Sequence, residues 1–306
     1  MAVRAAAAID FGGTLTDVVV RRSGEAPRDR AAAAAGAADV LRARPTVAHP
    51  DLAVVEAILA PALQEAGVAP HELAFVAVTG GRSHELPERS GDVPLLKVNE
   101  TEAIARGGVD TGAAVPALVV SLGTGTAMVI ADPPNAPRHL VGSGIGGGTL
   151  IGLARLLLST ADTDEISALA RAGDPGGCDL RVGDILGGGI GSVPAEATAS
   201  HFGRYGRVAA PAAAARPEDV AAALVNLVGQ AILRLAFEAA LANRVHSIML
   251  LGHLLDVAGF RESIERIPTL DGSFVRLARD PGFAIARGAL GVAADRQAAA
   301  PTAPLR

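Results

Sequence analysis

The stretch AIDFGGTLTD, residues 8–17, decides how this chain is read. An apolar run ends in Asp10; two glycines, two threonines and a second acid, Asp17, follow. Residues 4–10 read as a strand and 16–22 as its hairpin partner across the glycine turn. Glycine lets a backbone curl until its N–H groups converge on an anion. Threonine hydroxyls can add donors. An aspartate at a strand end can hold Mg²⁺, usually through water, because Mg²⁺ keeps most of its hydration shell. Asp10, Gly12, Gly13 and Thr14 therefore fit a phosphate-binding turn, although a Gly-Gly turn can also simply close a hairpin. Asp17 is the awkward residue, since an acid near a phosphate opposes binding unless a cation intervenes.

The same device recurs at 117–132, where ALVVSLGTGTAMVIAD reads as strand, glycine turn and strand, with Gly123, Thr124, Gly125 and Thr126 at the turn. Two such hairpins facing each other can grip a triphosphate from both sides. VGSGIGGGTLIGLARLLLS (141–159) is a glycine loop opening an amphipathic helix. Its Gly146, Gly147 and Gly148 form either a phosphate nest at a helix N-terminus or a close helix–strand contact. Residues 245–255 read as a strand ending at Gly252. Residues 50–67, 219–243 and 282–295 have helical character, the first with Leu52, Val55, Ile58, Leu59 and Leu63 on one face. The pattern is α/β with two lobes, 1–112 and 113–297. The boundary falls near 108–116, and a disordered Pro/Ala-rich tail at 298–306 is expected.

Composition narrows the function. The chain has 306 residues, 50% hydrophobic and 19% charged, which suits a globular protein with a sizeable core. A net charge of −5 with no Lys/Arg-dense block argues against nucleic acid. The single cysteine, Cys178, excludes an intramolecular disulfide or a multi-cysteine metal site and reads as an incidental surface or semi-buried thiol. His84, His201 and His253 show no metal spacing. The apolar N-terminal run leads directly into a strand and does not read as a signal peptide. No long uninterrupted apolar stretch predicts a membrane span, the 219–243 helix reads as core or dimer interface, and a cytoplasmic protein is expected.

The two hairpins are similar to the phosphate-1 and phosphate-2 motifs of the actin/hexokinase/Hsp70 superfamily. Within it, the chain resembles the type II, Fumble-type pantothenate kinases. IDFGGTLTD, VTGG (78–81), VNETEAIARGG (98–108), SLGTGTAMVI (121–130), GSGIGGGTLIGLARLL (142–157), ALARAGDPGGCDLRVGDILGG (168–188), ATASHFGR (197–204) and IMLLGHLL (248–255) match in order. The resemblance implies a two-lobed actin-like ATPase fold of ribonuclease H type, with ATP and Mg²⁺ in the cleft between lobes. It implies phosphorylation of the primary hydroxyl of pantothenate, the first step of coenzyme A biosynthesis. It further implies a homodimer, with coenzyme A or an acyl-coenzyme A as a further possible ligand. By position, Glu100 matches the family's base; its alternative role is a helix N-terminal acid complementing the dipole. Gly252 and His253 fall on the adenosine side.

Two positions depart from the family. Where its first turn commonly continues to a lysine, this chain has Asp17. That acid either points away, helps hold Mg²⁺, or marks a changed nucleotide site. The same Gly-Gly-Thr-x-Thr-Asp string resembles the first turn of the hydantoinase/oxoprolinase family, which shares the superfamily fold. The family arginine that grips substrate and transferring phosphate falls at His139. Either the adjacent Arg138 takes its role or His139 does so with fewer donors. Arg82 is another candidate cation. These departures leave open a same-fold kinase for a different alcohol, or a catalytically silent nucleotide-binding regulator.

Overall fold

Two sheets of matching topology build the molecule. The computed structural model describes residues 5–22, 39–47, 49–191, 193–207, 214–265 and 274–299. The first half contains β1 (Ala5–Phe11), β2 (Leu15–Arg22), β3 (Val40–Pro45), helix α1 (Leu52–Ala66), β4 (Leu73–Gly80), β5 (Arg89–Ser90), β6 (Val93–Lys97) and helix α2 (Glu100–Asp110). The second half begins with β7 (Ala117–Leu122), β8 (Thr126–Ala131), β9 (Arg138–Ser143), α3 (Gly147–Leu158) and α4 (Thr163–Ala172). It continues through β10 (Leu180–Arg181), α5 (Val182–Leu186), β11 (Thr198–Ser200), α6 (Pro217–Ala242), β12 (Ser247–Leu251), α7 (Ala258–Glu265), β13 (Phe274–Leu277) and α8 (Ala284–Ala299). The two large sheets have the orders β3-β2-β1-β4-β6-β5 and β13-β12-β7-β8-β9, and β10 and β11 pair as a separate two-stranded sheet. In each, an antiparallel meander (β1–β3, β7–β9) is extended by parallel strands (β4 and β6, β12 and β13). The recurrence read at 6–20 and 117–132 is thus a repeat of topology. Of the expected tail, residues 298 and 299 form the end of α8, against the expected disorder, and the rest lies outside the described residues.

Local chemistry explains the elements that matter here. In α1, the Asp51 side chain accepts the Val54 amide, and Gly67 in the left-handed region (φ 61°) ends the helix. Its Val55, Ile58, Leu59 and Leu63 are buried against the outer face of the first sheet, as their spacing predicts. β9 was not read from the sequence. The second lobe has its own outer core, in which Leu224, Val228, Ile232 and Phe237 of α6 pack beneath β7, β8 and β12. Among the described residues α6 is the one helix long and apolar enough to cross a membrane, and it is mostly buried within the protein. A third cluster joins the inner faces of both sheets to α2 and α8. α8 lies in the 113–297 segment yet packs chiefly on α2, so the two lobes share this central core.

The 178–204 excursion is fastened by a buried acid. The Asp179 carboxylate accepts from the Phe202 backbone N–H at 2.9 Å and from Asn226 Nδ2 of α6 at 2.9 Å, with His201 Nδ1 at 3.2 Å. Cys178 beside it is fully buried, against the expected partly exposed thiol. Burial, with the nearby Asp179 and Asp219 charges, pushes its thiol up to about 11, which makes it a poor nucleophile.

Candidate active site

Strand alternation places the first carboxylate. Ile9 and Phe11 point into the core under α1, so Asp10 points to the opposite face, toward the second lobe. Asp17 is its direct cross-strand partner in β2 and shares that face. The turns after β1 and β7 meet tip to tip, with Thr14 Oγ1 and Thr124 Oγ1 2.7 Å apart. A cleft of ≈ 430 Å³ lies between the hairpins. Asp10, Gly12, Gly13 and Thr14 line one side and Gly123, Thr124 and Gly125 the other. Glu100, Gly252 and His253 complete its polar rim.

The glycine loop works differently from a phosphate nest. Gly147 N–H donates to Gly123 O at 2.8 Å and Gly148 N–H to Thr124 O at 2.9 Å. The first amides of α3 are therefore spent on the second hairpin. Gly146 is missing from the cleft wall because it lies against Gly125, whose backbone a Cβ would meet at 2.7 Å. Of the two readings of this run, the close helix–strand contact is the one seen. Gly147 and Gly148 still border the cleft.

The expected arginine does not reach the site. Arg138 Nη2 donates to Asn243 Oδ1 at 2.8 Å, at the far end of β9 from cleft-lining Ser143. The neighbouring His139 is exposed. The β9 strand that begins at Arg138 carries both residues away from the turns; counting back from the glycine loop could not show this extended geometry. Arg82 bonds Glu85 Oε1 at 2.7 Å and His49 Nδ1 at 2.8 Å, also outside the cleft. Among the described residues no lysine or arginine lines the cleft.

The cleft's basic group is His253. Its Nε2 lies 2.7 Å from Asp17 Oδ1, and its Nδ1 lies 2.7 Å from Asp256 Oδ2. Burial alone would lower this imidazole, but the hydrogen bonds to Asp17 and Asp256 outweigh it and raise it to about 10. Phe283 stands edge-on to the ring at 5.4 Å. Gly282 lies so close that a Cβ there would meet ring atoms at 2.2–2.7 Å. None of this pairing was legible in the sequence; Asp17 alone carried a signal, as an acid where the resembled family commonly has a lysine.

A pH effect follows from the raised imidazole. A folded value above the unfolded one means stability that is present below the unfolded value and lost as pH rises through the folded one. For His253 that window runs from the ordinary 6.5 to about 10, with Asp17 and Asp256 as its facing charges. Urea midpoints of wild-type protein are expected to fall between about pH 6.5 and 10, and the fall should be smaller in His253→Gln. Parallel curves for the two proteins would sink the assignment.

Asp10 is the complementary case. Burial first, then the Asp17 and Glu100 charges, push its carboxyl up to about 8, with His253 opposing. Such a group, on a wall of carboxylate, hydroxyl and backbone oxygens, fits a hard divalent cation. Among the described residues no cluster of three ligating side chains exists, so an ion would depend mainly on Asp10, water and phosphate oxygens. Glu100 opens α2, whose N-terminus is already capped by Asn99 Oδ1 accepting from Thr101 N–H at 2.8 Å.

Comparison with known proteins gives this geometry a family. Solved structures share the fold across nearly the whole chain. The activator of the 2-hydroxyisocaproyl-CoA dehydratase from Clostridium difficile, with bound ADPNP, superposes with a TM-score of 0.63 at 14% identity, covering 98% of this chain and 100% of that one. A ROK family glucokinase from Streptomyces griseus, in complex with glucose and AMPPNP, gives 0.50 at 17% identity over 94% and 98%. A type II pantothenate kinase of Bacillus cereus (strain G9842) is 28% identical over 186 residues, 59% of this chain and 67% of that protein. Pantothenate kinase 1 of Oryza sativa subsp. japonica is 38% identical over 115 residues, 36% of this chain and 17% of that protein. The chain thus spans about two thirds of the bacterial relatives and less of the plant one. The Fumble family model matches residues 71–264, well over half of the sequence. The chain has the fold of the actin-like ATPases and kinases and belongs to the Fumble family, that of the type II pantothenate kinases.

Proposed function

We propose that this protein transfers the γ-phosphoryl group of ATP to the primary hydroxyl of pantothenate or a closely similar alcohol. The observation that carries the proposal is the meeting of Asp10, the two threonine-bearing hairpins and Glu100 around one cleft. Phosphoryl transfer needs positioning and charge neutralisation more than covalent chemistry. In this reading the hairpin amides at Gly12, Gly13, Thr14 and Gly123–Gly125 hold the phosphates. Glu100 accepts the proton of the attacking hydroxyl. Asp10 would hold Mg²⁺ through water, and the ion would supply charge neutralisation on the phosphates. Gly252 and the segment after it face the adenosine. Arg138 and His139, remote from the cleft, have no part in the step. A cytoplasmic homodimer belongs to the same reading.

A second reading keeps the phosphotransferase and changes the alcohol. Asp17 in the cleft and the lack there of a lysine or arginine among the described residues favour it. One assay separates the two: ADP release with Mg-ATP, alone and with pantothenate, pantetheine and a panel of primary alcohols. Release stimulated by pantothenate supports the first reading. Stimulation only by another alcohol supports the second. Nucleotide binding with no stimulated release would overturn both and leave a silent binder.

A further inference from the structure

The first hairpin presents two carboxylates, Asp10 and Asp17, side by side on the face that would receive a polyanion. Like charges directly opposite across a strand pair are unfavourable, and a phosphate approaching both would be repelled. The structure answers at one of the two. Asp17 is buried and bonded to His253, and His253 is held from its other side by Asp256. Both ring nitrogens face carboxylate oxygens, an arrangement that only the doubly protonated, cationic ring satisfies. The ring's place is fixed by Phe283 and by Gly282, which leaves the space that a side chain would take. The contact also crosses the molecule, since Asp17 belongs to β2 of the first sheet and His253 to the turn after β12 of the second.

We propose that His253 is a positioning residue for the nucleotide: it acts through Asp17, cancelling that charge and holding the carboxylate away from the phosphates. This rests on the reading of the cleft as a nucleotide site and goes beyond it. Asp17 is then neither a stray hairpin residue nor a metal ligand. It is one half of a salt link between lobes, and the anion-repelling charge left on the hairpin is that of Asp10, where a divalent cation would sit.

The test is a double-mutant cycle read by calorimetric binding of Mg-ADP, which needs no acceptor. His253→Gln keeps a donor and removes the charge, and is expected to weaken binding about tenfold or more. Asp17→Asn is expected to bind as tightly as wild type or more tightly. The double variant should recover to within about threefold of Asp17→Asn, because the glutamine no longer faces an uncompensated acid. Three outcomes would overturn the proposal. They are unchanged binding by His253→Gln, a loss in Asp17→Asn as large as that in His253→Gln, and a double variant no better than His253→Gln. The second would mark Asp17 as a metal ligand and the third would mark His253 as purely structural. Should His253→Gln not fold, Asp17→Asn alone still decides, since weakened binding there contradicts the proposal. An intact cycle with no turnover on any alcohol would overturn the kinase reading and leave this one standing. Wild-type protein that binds no nucleotide would overturn both.

Discussion

Glu100→Gln is expected to lower kcat by about 10²–10⁴-fold while Mg-ATP affinity stays within about twofold. The reasoning starts from position. Glu100 is the first residue of α2, it borders the cleft, and its charge acts on Asp10. A carboxylate that removes the proton of an attacking hydroxyl matters in the transition state, so its loss appears in kcat rather than in nucleotide binding. The competing role, an acid complementing the helix dipole, is worth only about 0.3–1 kcal/mol and would leave kcat unchanged. That role is also partly redundant, because Asn99 already caps the helix. Glu102 provides the control. It shares the first turn but pairs with Arg296 of α8 at 2.7 Å and does not line the cleft. Glu102→Gln should cost about 1 kcal/mol or less in stability and nothing in kcat. Equal kinetic effects from both variants, or loss of ATP binding in Glu100→Gln, would show a structural role for the helix terminus.

The contrast between Asp10 and Arg138 shows which parts of a site a sequence carries. Asp10 and the two glycine turns sit at strand ends, where a local pattern of apolar run, glycine and polar residue marks the turn, whereas Glu100 was singled out by the family resemblance and locally reads as a helix N-terminal acid. The alternation that buries Ile9 and Phe11 also aims Asp10, so that residue was legible from its neighbours. Arg138 required knowing where a strand begins. β9 is short and mixed in character, and its extended rise takes Arg138 out of reach of the turns. The glycine run at 146–148 was legible as a close approach, but whether its amides stayed free for phosphate depended on hydrogen bonds to the second hairpin. The Asp17–His253 link joins residues 236 positions apart. Local periodicity holds no record of such a pair. The same holds for α8, whose small residues fit a generic C-terminal helix and whose partner, α2, lies in the other half of the chain.

That pairing of α2 with α8 carries the second large effect. Gly288→Ala is expected to lower stability by about 2–3 kcal/mol, although alanine is the better helix former by about 1 kcal/mol. The helices cross in near backbone contact. A Cβ on Gly288 would meet Ala103 O at 2.1 Å and Gly107 N at 2.6 Å, and one on Gly107 would meet Ala284 O at 2.3 Å. These are main-chain atoms of packed helices and cannot swing aside as a flexible side chain would. Relief requires the helices to separate, which opens the central core shared by both sheets. Gly152 in α3 tests the opposite sign, since a Cβ there meets nothing within 4 Å. Gly152→Ala should therefore raise stability by up to about 1 kcal/mol. Urea denaturation of the two variants reads both effects on one scale, and a Gly288→Ala variant as stable as wild type or more so would refute the close crossing. The kinetic consequence separates packing from mere instability. α2 begins at Glu100, so a displaced α2 misplaces the proposed base. Gly288→Ala should lose kcat even at temperatures where circular dichroism shows it fully folded.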